Sequence, residues 1–272
     1  MVQDPAGGTM DRQDDAAAVD RNFIASFRAL GEGVAGALVR TIGRVPVAAT
    51  MLPLAFFNAA FVAEPLGDAA RDLEAAVTLL RELGVPFTVH LRSDLDPATR
   101  TAADGLGLVW TGTLPGMAMR PRPAPDLPPG LTIRRATTAA ELADHRAVAA
   151  AAFGMSPDLV ARLMPPALLG NPAVRVYVGL ENGLPVASSL AFRTDEIVGI
   201  YNVATVEAAR GRGYGTAMTW AVIADAAPGV EVAILQASAP GLPVYERMGF
   251  RTVVKYEEFE DAAAEPERDQ AS

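Results

Sequence analysis

The chain has 272 residues, half of them apolar, enough for one large or two medium domains with sizeable cores. It contains no cysteine, which excludes disulfides, thiol nucleophiles and thiolate metal sites and fits a reducing, cytoplasmic compartment. Only His90 and His145 offer imidazoles, so no metal is expected, and the net charge of −9 argues against nucleic-acid binding, which needs a basic face.

In chain order, MVQDPAGGTMDRQDDAAAVD (residues 1–20) is acidic and polar, the reverse of a signal peptide, and reads as a disordered lead-in. A first domain is expected over 21–119. FIASFRALGE reads as a helix, with strands around VAGALVRTIG and AATMLPLAFFNAAFV. The run Val45 to Ala63 has the length of a membrane span, but Pro46 and Pro53 would break a helix, and Thr50 and Asn58 are polar. Buried strands beside a turn fit better, and no membrane span is expected. Helix GDAARDLEAAVTLLRELG, strand PFTVHLR, helix DPATRTAADGLG and strand LVWTGTLPGMAM follow.

RPRPAPDLPPG, Arg120 to Gly130, holds five prolines in eleven residues and supports neither helix nor central strand. It reads as a semi-rigid linker between domains. The second domain is expected over 131–260, before a polar tail, 261–272, that reads as disordered. It opens with strand LTIRRA and a helix ending at Gly154, then a shorter helix with Ser156 as cap and Pro157 at its first position. VRVYVGL and PVASSLAFR flank ENG as a hairpin, and the β-branched run Glu196 to Val206 is the central-strand candidate. A glycine-rich loop, a helix from about Tyr214 to Ala226, strand VAILQAS, a short helix closed by Gly249 and a last strand complete it. The order is β-α-α-β-β-β-α-β-α-β, an α/β mixed sheet with helices on its faces.

The loop itself, RGRGYG, is costly unless bare backbone is needed. Gly211, Gly213 and Gly215 fall within five residues, and a glycine inside a helix costs about 1 kcal/mol relative to alanine. Glycines at a helix N-terminus suit an anion that must approach the backbone closely, although such a turn can also serve only to turn. The Walker P-loop pattern fails, because no lysine follows the glycines, and the dinucleotide fingerprint fails on spacing and context.

The run VATVEAARGRGYG resembles the signature of the GNAT N-acetyltransferase superfamily, [QR]-x-x-G-x-[GA], with Arg210, Gly213 and Gly215 at the fixed positions. LQASAPGLPVYERMGFR resembles the family's later strand, short helix, tyrosine and Gly-Phe ending. Glu207 departs from the proline that relatives often carry there. The resemblance covers about residues 131 to 260 and implies the GNAT fold, with acetyl-CoA as co-substrate.

It also implies residue roles. Backbone N–H groups from Gly211 through Arg212, Gly213, Tyr214 and Gly215 to Thr216 would cradle the pyrophosphate. Arg210 and Arg212 add positive charge, or are simply solvated. Val203, Ala204 and Thr205 would offer backbone partners to the pantetheine arm. Tyr245 matches the family's general acid, or is a packing tyrosine, and Ser238 would bond the cofactor or position Tyr245. For a general base the sequence offers Glu196, Tyr201, Asn202 or water.

The first domain repeats the β-α-β-α-β order of the second without an R-x-x-G-x-G loop. It resembles a degenerate GNAT-like half, as in tandem acetyltransferases with one silent half, or is an unrelated domain of the same order. The expected function is direct acetyl transfer to an amine of a small molecule or an amino terminus of a peptide. An acyl-CoA-binding sensor without turnover and an interaction module are the other classes. The sequence leaves a homodimer open.

Overall fold

The computed structural model describes residues 10–65, 70–95, 97–226 and 228–261. Contacts divide the chain into two units. The first comprises the chain through Phe23, Pro115–Ala161 and Pro166–Val254; the second comprises Ile24–Leu114, Arg162–Pro165 and the chain from Lys255.

In the second unit, β1 (Leu38–Ile42), β2 (Val45–Ala49) and β3 (Asn58–Val62) form an antiparallel meander. The span-length segment is therefore two buried strands and a turn. Among the described residues no helix is long and apolar enough to cross a membrane. Asn58 fixes that turn: its amide nitrogen donates to the carbonyls of Leu52, Leu54 and Pro86, and its oxygen accepts from Met51 N–H. Helix α2 (Ala70–Glu82) buries Leu73, Ala76, Val77 and Leu80, a single stripe at helical spacing. Strand β4 (Thr88–Arg92) then pairs parallel to β3, and α3 (Pro97–Gly105) leads into β5 (Leu108–Met119). The chain leaves this unit within β5, between Leu114 and Pro115.

The first unit uses the far end of β5, then β6 (Leu131–Ala136), α4 (Ala139–Phe153), α5 (Pro157–Leu163), β7 (Val174–Glu181), β8 (Leu184–Thr194) and β9 (Ile197–Thr205). Next come α6 (Tyr214–Ala226), β10 (Val232–Gln236), α7 (Leu242–Met248) and β11 (Arg251–Asp261). Its strand order is β5-β10-β9-β8-β7-β6, with β10 parallel to β9 and the other neighbours antiparallel. This is the β-α-α-β-β-β-α-β-α-β order expected from sequence. Local signals set its ends: Thr138 and Glu141 close a capping box on α4, Gly154 ends it at φ 65°, and Ser156 Oγ accepts from Leu159 N–H. The closing half of β11 belongs to the second unit, where residues 256–260 pair antiparallel with β4.

Three expectations change. The lead-in is ordered from Met10, where α1 (Met10–Gly33) begins; residues 1–9 lie outside the described residues. Ala16, Val19, Phe23 and Phe27 form a buried stripe, and Asp15 can be buried because Arg120 pairs with it at 2.6 Å. The proline-rich stretch has no helix or strand, as expected, but it is part of the first unit rather than a connector, because the crossing occurs in β5. The tail reading covers Asp261, which ends β11, and 262–272, outside the described residues.

Candidate active site

Strands β9 and β10 pair only at Ile197↔Val232, Val198↔Ala233 and Ile200's neighbour Gly199↔Ile234. Beyond Gly199 the two diverge. Among the described residues no strand pairs with Ile200–Thr205 on that edge, while β8 holds the other. The divergence begins before a β-bulge in the β8–β9 ladder, where Asn202 takes φ 52°. Val203, Ala204 and Thr205 therefore lie on a strand edge that no other strand covers among the described residues.

His145 of α4 supports the bulge. Its Nδ1 lies 2.9 Å from the Tyr177 carbonyl oxygen and its Nε2 2.9 Å from the Asn202 amide nitrogen. An amide nitrogen only donates, so Nε2 accepts and Nδ1–H donates, which defines a neutral tautomer. Burial pushes the imidazole down to about 4, against the Tyr177 carbonyl, which favours the charged form. On the same strand, Tyr201 donates its hydroxyl to Asn22 Oδ1 at 2.7 Å, a partner from α1 that sequence reasoning missed.

The glycine loop opens α6. Gly211 and Gly213 have φ 79° and 78°, so glycine is required by backbone conformation as well as by bareness. A Cβ at Gly211 would meet nothing within 4 Å, and one at Gly213 only Pro128 Cγ at 3.8 Å. The first intrahelical bond runs from Ala217 N–H to the Gly213 carbonyl. The N–H groups of Gly213, Tyr214, Gly215 and Thr216 precede it and have no intrahelical acceptor. A bare loop with four aligned donors at the positive end of a helix dipole fits a pyrophosphate. Gly215 sits against that edge: a Cβ there would lie 3.7 Å from Thr205 Oγ1 and 3.9 Å from Val203 Cγ1.

The two loop arginines are engaged elsewhere. Arg210 donates to the carbonyls of Thr205 and Ala152, tying the end of β9 to α4. Arg212 makes a two-pronged bond to Glu181 at 2.8 and 2.9 Å, and Tyr214 donates its hydroxyl to the same carboxylate at 2.6 Å. Tyr214 first, then Arg212, holds the Glu181 carboxyl below its usual range. The charge of Arg212 is thus largely met within the protein, and with the Tyr214 hydroxyl also turned to Glu181 a ligand at this helix start would meet backbone.

Tyr245 stands on α7, the helix that follows β10. A Cβ on Gly241 would lie 3.0 Å from Tyr245 Cε2 and 3.1 Å from Ser238 Oγ, so the ring passes directly over bare backbone beside Ser238. Ser238 accepts from Gly241 N–H at 3.3 Å and so fixes the start of the helix that carries the tyrosine. Phe250 meets the ring edge-on with centroids 5.9 Å apart. Burial raises the phenol's pKa, opposed by a hydrogen bond with Thr219. Thr219 also donates its hydroxyl proton to the Gly215 carbonyl at 3.0 Å. The phenol and the helix start are linked through Thr219 and Gly215.

Glu196 is not part of this cluster. It precedes β9 at the paired end, where its carbonyl accepts from Glu231 and Val232 N–H. At about 3.3 Å per residue it lies roughly 20 Å along the strand from Asn202. Adjacency to the central strand suggested it; the strand's direction removes it as a base.

The second unit repeats the element order with β3-α2-β4-α3-β5, but its parallel pair stays zipped, from Ala59↔Thr88 to Val62↔Leu91 at the end of β3. No such edge opens there.

A mixed sheet whose central parallel strands part beside a glycine-rich helix start is the GNAT type of α/β fold. Residues 143–250 match the model of the acetyltransferase (GNAT) family, and the C-terminal half of the chain belongs to that family. Over its whole length the chain is similar in fold to a GCN5-related N-acetyltransferase from Kribbella flavida, at TM-score 0.70 and 19% identity over 94% of this chain and 97% of that one. It is also similar to a tandem GNAT protein from the clavulanic acid biosynthesis pathway, at TM-score 0.62 and 14% identity over 93% and 96%. A third similar fold is the GCN5-related N-acetyltransferase from Sphaerobacter thermophilus, at TM-score 0.60 and 18% identity over 91% and 92%. No curated protein matches the sequence.

Proposed function

We propose that the chain is an acetyl-CoA-dependent N-acetyltransferase with one competent site, in its C-terminal half, acting on an amine of a small molecule or an amino terminus. The observation that carries this reading is the parting of β9 and β10 after Gly199 beside a bare helix start, where Gly215 lies against Thr205 and Val203. Within this reading, the domains are a silent GNAT-like half, a proline-rich segment and a catalytic half.

Acetyl-CoA, when bound, supplies an acetyl thioester. The N–H groups from Gly211 to Thr216 hold its pyrophosphate, and the open edge at Val203, Ala204 and Thr205 hydrogen-bonds the pantetheine amides. A neutral acceptor amine attacks the acetyl carbon, the carbon–sulfur bond breaks, and Tyr245 gives its phenolic proton to the departing sulfur. A thiolate leaves readily at a pKa of about 8.5, so a phenol of pKa about 10 or above is acid enough. The proton lost by the amine passes to water.

The position of Glu196 at the paired end of β9 keeps an acyl-CoA sensor as the second reading. Thiol release from acetyl-CoA, measured across a panel of primary amines and peptides, tests the proposal. Amine-dependent release supports the enzyme; tight acetyl-CoA binding with no release for any amine supports the sensor. No binding at all would favour the interaction module.

A further inference from the structure

The proline-rich segment, expected as a connector, instead borders a cavity on the first unit. The cavity encloses about 470 Å³ and is lined by Arg122, Pro123–Pro125, Thr216, Trp220, Val244, Arg247 and Met248. It begins at Thr216, one of the four unpaired donors at the start of α6, and ends at the last turn of α7. Two guanidinium groups face it and no acidic residue lines it, in a chain whose net charge is −9.

Arg122 is built in. Its guanidinium stacks on Trp220, 5.5 Å from the ring centroid, and donates to the Met248 carbonyl. Gly249 makes this reach possible: a Cβ there would lie 3.1 Å from Arg122 Nη2, and its φ of 97° is a glycine conformation. Arg247 is exposed on the last turn of α7 and supplies the second charge. A guanidinium has five donors, so Arg122 keeps donors beyond the one used on Met248.

We infer that this cavity is a second anion subsite, which takes the ribose 3′-phosphate of coenzyme A between Arg122 and Arg247. The inference rests on the acetyl-CoA reading and adds to it. The pyrophosphate is met by backbone dipoles at α6, where the arginines of the loop are otherwise engaged, so the neighbouring pair of arginines meets the remaining dianion. Charge-assisted bonds to phosphate are about twice as strong as neutral ones, which suits this division. The proline-rich segment thereby contributes a ligand-binding side chain, and its stiffness keeps Arg122 in place without a helix or strand.

The test compares CoA with 3′-dephospho-CoA by titration calorimetry, in the full chain and in Arg247→Gln, Arg122→Gln and the double variant. Wild type should prefer CoA by about tenfold or more, the preference expected for one charged hydrogen-bonding pair. Arg247→Gln should cut that preference to about threefold, and the double variant should abolish it, with dephospho-CoA affinity changed by less than about twofold throughout. Arg247→Gln is exposed and keeps the inference testable if Arg122→Gln perturbs the packing on Trp220. Equal wild-type affinity for the two ligands, or an unchanged preference in the double variant, would overturn the subsite and leave the acetyl-CoA reading standing. Failure of wild type to bind either ligand would overturn both.

Discussion

A Cβ on Gly199 would lie 2.0 Å from Asn22 Oδ1, so the central strand is notched to admit a side chain from α1. Asn22 uses the space fully: its amide nitrogen donates to the Phe192 carbonyl and Thr194 Oγ1, and its oxygen accepts from Tyr201. Gly199→Ala should therefore destabilise by about 1–3 kcal/mol through overpacking, and Asn22→Ala by a similar amount through lost buried bonds. Each change removes part of what the other removes. In urea melts the double variant should cost less than the sum of the two; full additivity would mean that the two residues are not coupled.

Both histidines should make the fold acid-sensitive. Burial alone pushes His90 down to about 3, in a shell of Phe27, Phe56 and Phe61, and His145 is held at about 4. The unfolded chain binds a proton at each near pH 6.5 while the folded chain does not, so stability is full above that pH and falls as pH drops toward 4. Each histidine contributes a slope of about 1.4 kcal/mol per pH unit in that window. Glu258 and Glu260, held above the usual carboxylate range first by burial, act in the opposite sense as they protonate. The comparison is therefore one of slopes between pH 6.5 and 5: His145→Gln and His90→Leu should each flatten the fall. A wild-type urea midpoint independent of pH over that range would contradict the burial argument.

The second half of the chain was legible because its signals are local. Period-two runs marked β6 to β10, Gly154 and Gly249 marked helix ends, and R-x-x-G-x-G marked the start of α6. What could not be read was long-range. The acidic start of α1 looks disordered until Arg120 neutralises Asp15, and nothing near Gly199 announces Asn22. The crossing between units falls inside a strand, β5, where composition does not change, while the prolines at 121–129 drew attention to a place where no crossing occurs. Glu196 was suggested by being next to the right strand, and only the strand's direction shows that it stands at the wrong end.

One acetyl-CoA should bind per chain. The β9–β10 pair opens after Gly199, whereas β3–β4 stays hydrogen-bonded to the end of β3 and leaves no edge for a pantetheine. Titration calorimetry giving two equivalents would show that the second unit is not silent.

The loop glycines should separate by what each one does. Gly215 has ordinary room for a methyl against Thr205 and Val203, and alanine suits a helix better by about 1 kcal/mol, so Gly215→Ala should keep both stability and acetyl-CoA affinity. Gly213→Val places a β-branched residue at φ 78°, which costs about 1–2 kcal/mol and crowds the cradle. It should weaken acetyl-CoA binding by tenfold or more in protein that still melts cooperatively. Unchanged affinity in a folded Gly213→Val variant would remove the pyrophosphate from this loop.

Tyr245→Phe separates enzyme from sensor. The change keeps the ring, its edge contact with Phe250 and its passage over Gly241, and deletes only the hydroxyl that hydrogen-bonds with Thr219. Stability should fall by about 1 kcal/mol, the value of one such bond. The phenol is held protonated by burial, so at neutral pH it is an acid in reserve, and its proton matters only as the carbon–sulfur bond breaks. Its loss should therefore act on the transition state and leave ground-state binding almost untouched. Turnover should drop by about 10²-fold, the low end for general acid catalysis, because a thiolate is already a good leaving group. Acetyl-CoA affinity should change by less than about threefold, under about 1 kcal/mol. Thr219→Val serves as the control for positioning: it removes the hydroxyl partner of the phenol and leaves the phenol, so it should lose activity by a smaller factor than Tyr245→Phe. Single-turnover kinetics with an amine from the panel read all three proteins. An unchanged chemical step in Tyr245→Phe would take the tyrosine out of the mechanism, and a large loss of affinity would make it a binding residue, as the sensor reading requires.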